Sequence, residues 1–174
     1  SMVELPERLN AATVFIDQHL ENGLAAKMAL LCGDRAITYR ELHEHVNRFG
    51  NLLHRLDVRM EERVAFLLPD TPEWVYVFFG AIKRGAVALP LNTMLQAENY
   101  EYFLRDSRAR VLVVHESLLD RVAGICDGLE HLQHVLVVGP SRDGFASLAD
   151  EMECEPAELE AADTSKDDMA FWLY

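Results

Sequence analysis

Cysteine is scarce. Cys32, Cys126 and Cys154 are three in 174 residues, far apart and in no metal-ligand spacing. An odd count without a pairing pattern reads as reduced thiols in a cytoplasm, with Cys32 and Cys126 as small buried hydrophobes. Positive charge is also thin: 16 Lys and Arg stand against 29 Asp and Glu, a formal net charge of −13. That argues against nucleic-acid or anionic-membrane partners, because both demand a basic surface. No apolar run approaches the ~18 residues of a membrane span. The polar, acidic start carries no secretory signal. Nine glycines never cluster, so there is no P-loop and no dinucleotide-binding loop. Gly33, Gly50, Gly80 and Gly85 stand alone and read as structural. Ser107, Ser117, Ser141 and Ser147 sit in no nucleophile elbow. The pairs Glu61-Glu62 and Asp167-Asp168 read as solvated loop charges rather than acid–base couples.

What is present is a core. Half the residues are hydrophobic, and the length suits one domain. Ser1-Met2 reads as a cloning scar, leaving residues 3–174 as the domain. Its centre is the stretch from Arg63 to Asn92. Val64 to Leu68 is a short apolar run stopped by Pro69, the pattern of a strand buried on both faces. Thr71 suits an N-cap, Pro72 the first helical position and Glu73 the positive end of the dipole. The helix over Trp74 to Ile82 is apolar on nearly every face, so it is expected to be buried all round, with Trp74 and Phe78 one turn apart. Lys83 and Arg84 close it, and Gly85 suits a left-handed end. Ala86 to Leu89 is a second strand, ended by Pro90. Strand, helix, strand in about thirty residues is a βαβ unit with a right-handed crossover.

The flanks extend this alternation. Asn10 can cap a helix over 11–21. Met28 to Cys32 and Ala36 to Thr38 read as a small hairpin turned at Gly33-Asp34. Thr38 and Glu41 form a capping box. Behind them Leu42, Val46, Phe49, Leu53 and Leu56 make one helical stripe. His43, His45 and His54 lie on that helix at spacings that share no metal, so they read as solvated or satisfied side chains. Further along are a helix over 97–106 burying Tyr100, Phe103 and Leu104, and a strand over 111–114. Next come a helix over 116–129 with Leu118, Leu119, Val122 and Ile125 inward, and a strand over 135–138. A short helix near 145–151 leads into an acidic surface connection. Residues 169–174 read as a final buried strand. The expected class is α/β, a parallel-sheet domain flanked by helices, with the small hairpin near residues 28–38.

No catalytic, cofactor-binding or metal-ligating residue can be assembled from these motifs. Trp74, Tyr76, Phe78 and Phe79 read as core rather than as an aromatic pocket. Ending on Phe171-Trp172-Leu173-Tyr174, with no cap or polar tail, reads as a cut whose apolar surface favours self-association.

The residues do resemble a family. Thr38 to Leu42, Arg63 to Ala65, Pro69 to Trp74, Lys83 to Val87 and Pro90-Leu91-Asn92 occur in this order and spacing in the adenylate-forming ligases, and the resemblance covers essentially the whole chain. Asn10 to Leu20, Tyr102 to Arg110, and Asp163 to Asp168 followed by Phe171 to Tyr174 resemble the benzoate–CoA ligase group. The resemblance implies the N-terminal α/β subdomain of an AMP-forming acid–thiol ligase acting in aromatic-acid degradation. ATP and an aryl carboxylate would give an aryl-adenylate, and coenzyme A would take the acyl group. ATP, Mg2+ and coenzyme A are thus implied for the parent enzyme and none for this stretch. The remainder of the ligase chain is the implied partner, homo-oligomerisation is left open, and the implied location is cytoplasmic. The family's phosphate-binding loop should begin where Tyr174 stands, so the resemblance carries no catalytic, cofactor-binding or metal-ligating residue over to this stretch, and the stretch alone is expected to be inactive. In some relatives an arginine after the Pro-x-Asn segment approaches the coenzyme A nucleotide; Met94 takes its place. The alternatives are a stand-alone α/β binding module, or a ligase for another aryl or fatty acid.

Overall fold

A computed structural model describes residues 28–32 and 35–160. The helix expected over 11–21 and the strand expected over 169–174 lie outside the described residues. Strands β1 (Met28–Cys32) and β2 (Arg35–Thr38) form the expected antiparallel hairpin, with Leu31 opposite Ala36. Thr38 then starts helix α1 (Tyr39–Arg55). Its hydroxyl accepts the Glu41 N–H at 3.2 Å, and the Glu41 carboxylate accepts the Thr38 N–H at 3.3 Å. Two otherwise orphaned donors are satisfied reciprocally. Leu42, Val46, Phe49 and Leu53 are buried, and half-buried Leu56 closes the stripe.

The central unit is β3 (Arg63–Leu67), α2 (Pro72–Arg84) and β4 (Val87–Pro90), with the two strands parallel and Val64 beside Ala88. Gly85 ends α2 at φ 85°, and its N–H donates to the carbonyls of Ala81 and Ile82. Thr71 holds the N-cap position, but its side chain makes no capping bond. Helix α2 also departs from all-round burial. Tyr76, Val77, Ala81 and Ile82 are buried, whereas Trp74, Val75, Phe78 and Phe79 are only half-buried along one side. The sheet and α1 cover one flank of the helix. At the edge of that core the half-buried rings continue the packing: Trp74 meets Phe66 of the sheet edge-on at 5.2 Å and stacks on Phe78 at 5.1 Å. Lys83, in the last turn, is buried to 1% exposure.

Helix α3 (Ala97–Ser107) buries Tyr100 and Leu104, with Phe103 partly covered. After β5 (Val111–His115) the expected helix over 116–129 is replaced by two 3₁₀ turns, Glu116–Arg121 and Cys126–Gly128. Leu118, Leu119 and Val122 still point inward, and Ile125 is partly covered. Gly124 and Gly128 weaken helical propensity along this stretch, and a 3₁₀ turn needs few residues. Strand β6 (His134–Val138) follows. The short helix expected near 145–151 is instead a two-residue strand, β7 (Ala146–Ser147), and helix α4 (Leu148–Glu153). Ser147 caps α4 through its hydroxyl, so the helix begins later than the residue pattern alone indicates.

All neighbours in the five-stranded sheet are parallel, in the order β4-β3-β5-β6-β7. Side chains alternate between two cores. Val64, Phe66, Val111, Val113 and Leu136 face α1, α2 and α4. Ala65, Leu67, Leu112, Val114 and Val137 face α3 and the 3₁₀ turns. Burial on both sides explains the unbroken apolar runs. Helices α1 and α2 touch where both carry glycine. A Cβ on Gly80 would lie 2.7 Å from a Phe49 ring carbon and 2.9 Å from the Val46 carbonyl oxygen, and one on Gly50 would lie 3.4 Å from the Gly80 carbonyl oxygen.

Candidate functional site

From β3 the chain moves outward to β4, then returns past β3 to β5 and continues to β6 and β7. The reversal lies between β3 and β5, and open parallel sheets bind ligands outside the carboxyl ends of their strands at such a point. The segments gathered on that edge are Leu68 to Thr71, Leu91 to Leu95, His115 to Ser117, and Gly139-Pro140.

The loop after β4 is the best braced. Asn92 Oδ1 accepts the Met94 N–H at 2.8 Å, a side-chain-closed turn. The Tyr100 hydroxyl, delivered by α3, donates to the Asn92 carbonyl at 2.6 Å and accepts the Leu95 N–H at 3.2 Å. Arg121 donates to the Thr93 carbonyl. These bonds hold the tip so that Met94 projects outward, 82% exposed. After β5, His115 Nδ1 accepts the Ser117 N–H at 3.1 Å and lies 2.7 Å from Ser117 Oγ. A ring protonated on Nε2 lets Nδ1 accept from both groups. The histidine thereby caps the first 3₁₀ turn, which occupies the nitrogen a general base would use.

Beside this edge, a cleft of about 690 Å³ opens between α1, α2, α4 and the end of β6. Tyr76, Val138, Leu148 and Met152 give it apolar walls, and Arg48, Glu73 and Asp150 carry charge into it. The His45 ring lies 4.6 Å from that of Tyr76. Nothing in the sequence marked this cleft, because its walls come from three separated helices whose residues carry no common motif.

The residues singled out from the sequence fall mostly as read. The side-chain amide of Asn47 lies 3.0 Å from the His43 ring, one turn away. Among the described residues no three or more His, Cys, Asp or Glu stand close enough to hold a metal ion. Cys126 is buried, donates to the Val122 carbonyl, and has its thiol pushed up to about 11 by burial and by the neighbouring Asp127 charge. It stays a neutral thiol at physiological pH and is no nucleophile. Glu62 departs from the solvated reading: it is half-buried and pairs with Arg110 at 2.9 Å. At the opposite, amino edge, burial and then the Arg110 charge lower the His134 pKa below the ordinary histidine value, against an opposing bond with the Leu56 backbone. Among the described residues no helix is long and apolar enough to cross a membrane.

The parallel order and the reversal point define an open α/β sheet of the class that binds ligands at its carboxyl edge. The model of the AMP-binding enzymes matches residues 17–174, and the chain belongs to that family. It is 38% identical over 173 residues to a benzoate–CoA ligase of Thauera aromatica, covering 99% of this chain and 32% of that protein. It is 36% identical over 165 residues to a 4-hydroxybenzoate–CoA/benzoate–CoA ligase of Rhodopseudomonas palustris, covering 95% of this chain and 31% of the relative. The solved structure of an anthranilate CoA ligase in complex with anthranoyl-AMP superposes with a TM-score of 0.89 at 40% identity, over 96% of this chain and 31% of that one. The chain thus spans about a third of the length of the relatives it matches.

Proposed function

We propose that residues 3–174 are the amino-terminal α/β subdomain of a longer, cytoplasmic, AMP-forming ligase that joins an aryl carboxylate to coenzyme A. In that reaction a carboxylate oxygen attacks the α-phosphorus of ATP and pyrophosphate leaves. The coenzyme A sulfur then attacks the acyl carbon and AMP leaves. The observation that carries the reading is the agreement, along nearly the whole chain, with CoA ligases for benzoate, hydroxybenzoates and anthranilate. It favours this reading over a stand-alone binding module.

The contribution of these residues is support. Adenylation needs phosphate-holding donors, a metal site, a carboxylate pocket and a cation held in one geometry. In this reading none of these groups comes from the described residues. They provide a rigid sheet, a reversal point and a braced Asn92–Leu95 loop on the edge where ligands meet such sheets.

Calorimetry of the 174-residue chain with ATP, magnesium and benzoate is expected to show no saturable binding below millimolar. The longer protein is expected to show benzoate- or hydroxybenzoate-dependent ATP–pyrophosphate exchange and to form the matching thioester. Micromolar ATP binding by the 174-residue chain would overturn the supporting role. Absence of exchange in the longer protein with benzoate, hydroxybenzoates and anthranilate would overturn the aryl-ligase reading.

A further inference from the structure

After α4 the chain runs from Cys154 to Glu160 with neither helix nor strand, yet it is held along α1. Arg48 Nη1 donates to the carbonyls of Glu155 at 3.1 Å and Glu153 at 3.3 Å. Asn51 Nδ2 donates to the carbonyls of Pro156 at 2.8 Å and Glu158 at 3.0 Å. Asn47 Nδ2, one turn earlier, donates to the Ala157 carbonyl at 2.9 Å from a side chain with 0% exposure. Arg55, in the next turn, pairs with the carboxylates of Glu151 at 2.7 Å and of Glu155.

The pattern has two consequences. Arg48 and Asn51 each bridge carbonyls two residues apart, Arg48 across the turn at Cys154 and Asn51 across the bend at Ala157. A slip by one residue would carry the turn and the bend out from under their donors, so the bonds fix register as well as contact. Burial alternates to match: residues 155, 157 and 159 are half-buried, while 156, 158 and 160 are exposed. Leu159 settles over Gly50, where a Cβ would lie 2.3 Å from a Leu159 methyl carbon. The bonds from Asn47, Arg48 and Asn51 all go to the backbone of this strap.

We infer that Asn47, Arg48 and Asn51 are positioning residues: by holding the main chain of residues 153–158 in one register, they set the line on which the polypeptide is delivered to residue 161 and beyond. The strap stands on its own geometry; its effect on turnover rests on the ligase reading above. Asn51→Asp keeps the side chain's shape and removes both donors. In the 174-residue chain, a glutamate-specific protease is expected to cut within residues 153–160 about tenfold faster in this variant, the effect of two lost hydrogen bonds on local opening. The urea midpoint by circular dichroism should stay within error. Arg48→Met should do the same from the other end and serves if Asn51→Asp does not fold. In the longer ligase, Asn51→Asp is expected to lower kcat for ATP–pyrophosphate exchange several-fold at unchanged Tm, and Asn51→Gln, which keeps the donors, to recover most of it. Unchanged cleavage in both variants overturns the strap. Faster cleavage with unchanged turnover overturns the positioning role. A longer wild-type protein without exchange sinks the ligase reading and the positioning role together, while proteolysis still decides the strap.

Discussion

Gly80→Ala tests the helix packing most sharply, because two opposing effects can be weighed. In a helix interior alanine is favoured over glycine by about 1 kcal/mol. Against that, the new methyl would stand 2.7 Å from the Phe49 ring, 2.9 Å from the Val46 carbonyl oxygen and 3.1 Å from Phe49 Cβ. Phe49 has 0% exposure and no room to swing aside. The Val46 oxygen belongs to the α1 backbone, so relief requires the helices to part by about 0.5 Å. Separation would also disturb the first core, which both helices share. Overpacking costs about 1–3 kcal/mol; with a backbone oxygen and a fully buried ring in the way, the upper part of that range, about 2–3 kcal/mol, applies, so a net loss of about 1–2 kcal/mol is expected after the propensity gain. With a urea m-value of about 2 kcal/mol/M, the midpoint should fall by about 0.5–1 M. Gly124→Ala, where nothing lies within 4 Å, is the control and should be neutral or slightly stabilising. If Gly80→Ala matched or exceeded the wild-type midpoint, the propensity gain would have won and the close approach of α1 and α2 would be wrong.

Gly85→Ala, at φ 85°, should cost about 1–2 kcal/mol in the same assay; an unchanged midpoint would refute the left-handed helix end. Phe78→Ala should cost about 1.5–3 kcal/mol, less than Phe49→Ala, since only the latter side chain is fully buried; equal losses would show that the outer flank of α2 is core. For His134 the pKa is lowered on folding, so the unfolded chain takes the proton first. Stability is then full above the unfolded value of about 6.5 and falls as pH drops through it toward the folded value. His134→Gln should lose less stability than wild type across that window; parallel pH profiles would refute the burial of the ring.

The local rules were legible where one residue type leaves one option. Thr38 and Glu41 cap α1 reciprocally, Gly85 closes α2 in the left-handed region, and the continuous apolar runs are strands covered on both faces. Misreadings came where tertiary context decides. Residues 116–129 carry helical spacing, but that spacing also suits two 3₁₀ turns against the same core. The apolar circumference of α2 implied burial all round, although the sheet and α1 can cover only part of a cylinder. The cleft and the Asn47–Asn51 bonds join residues about a hundred positions apart, and no local pattern encodes such pairs. The carboxamides were nonetheless a usable signal: two asparagines one turn apart in a helix, both poor helix formers, invite a search for what their donors serve.

The strand order has a consequence for how the molecule is made. Strand β3 pairs first with β4, its near neighbour in sequence. Each later strand then joins the opposite side: β5 against β3, β6 outside β5, β7 outside β6. None of the described later strands has to be inserted between two already joined, so the described sheet can grow outward in the order the ribosome delivers it. Because nearby pairings close smaller loops, the β3–α2–β4 unit should form the folding nucleus. Truncating Phe66 in β3 should then chiefly slow refolding, and truncating Leu136 in β6 should chiefly speed unfolding; the reverse pattern in stopped-flow kinetics would show that assembly begins at the other edge.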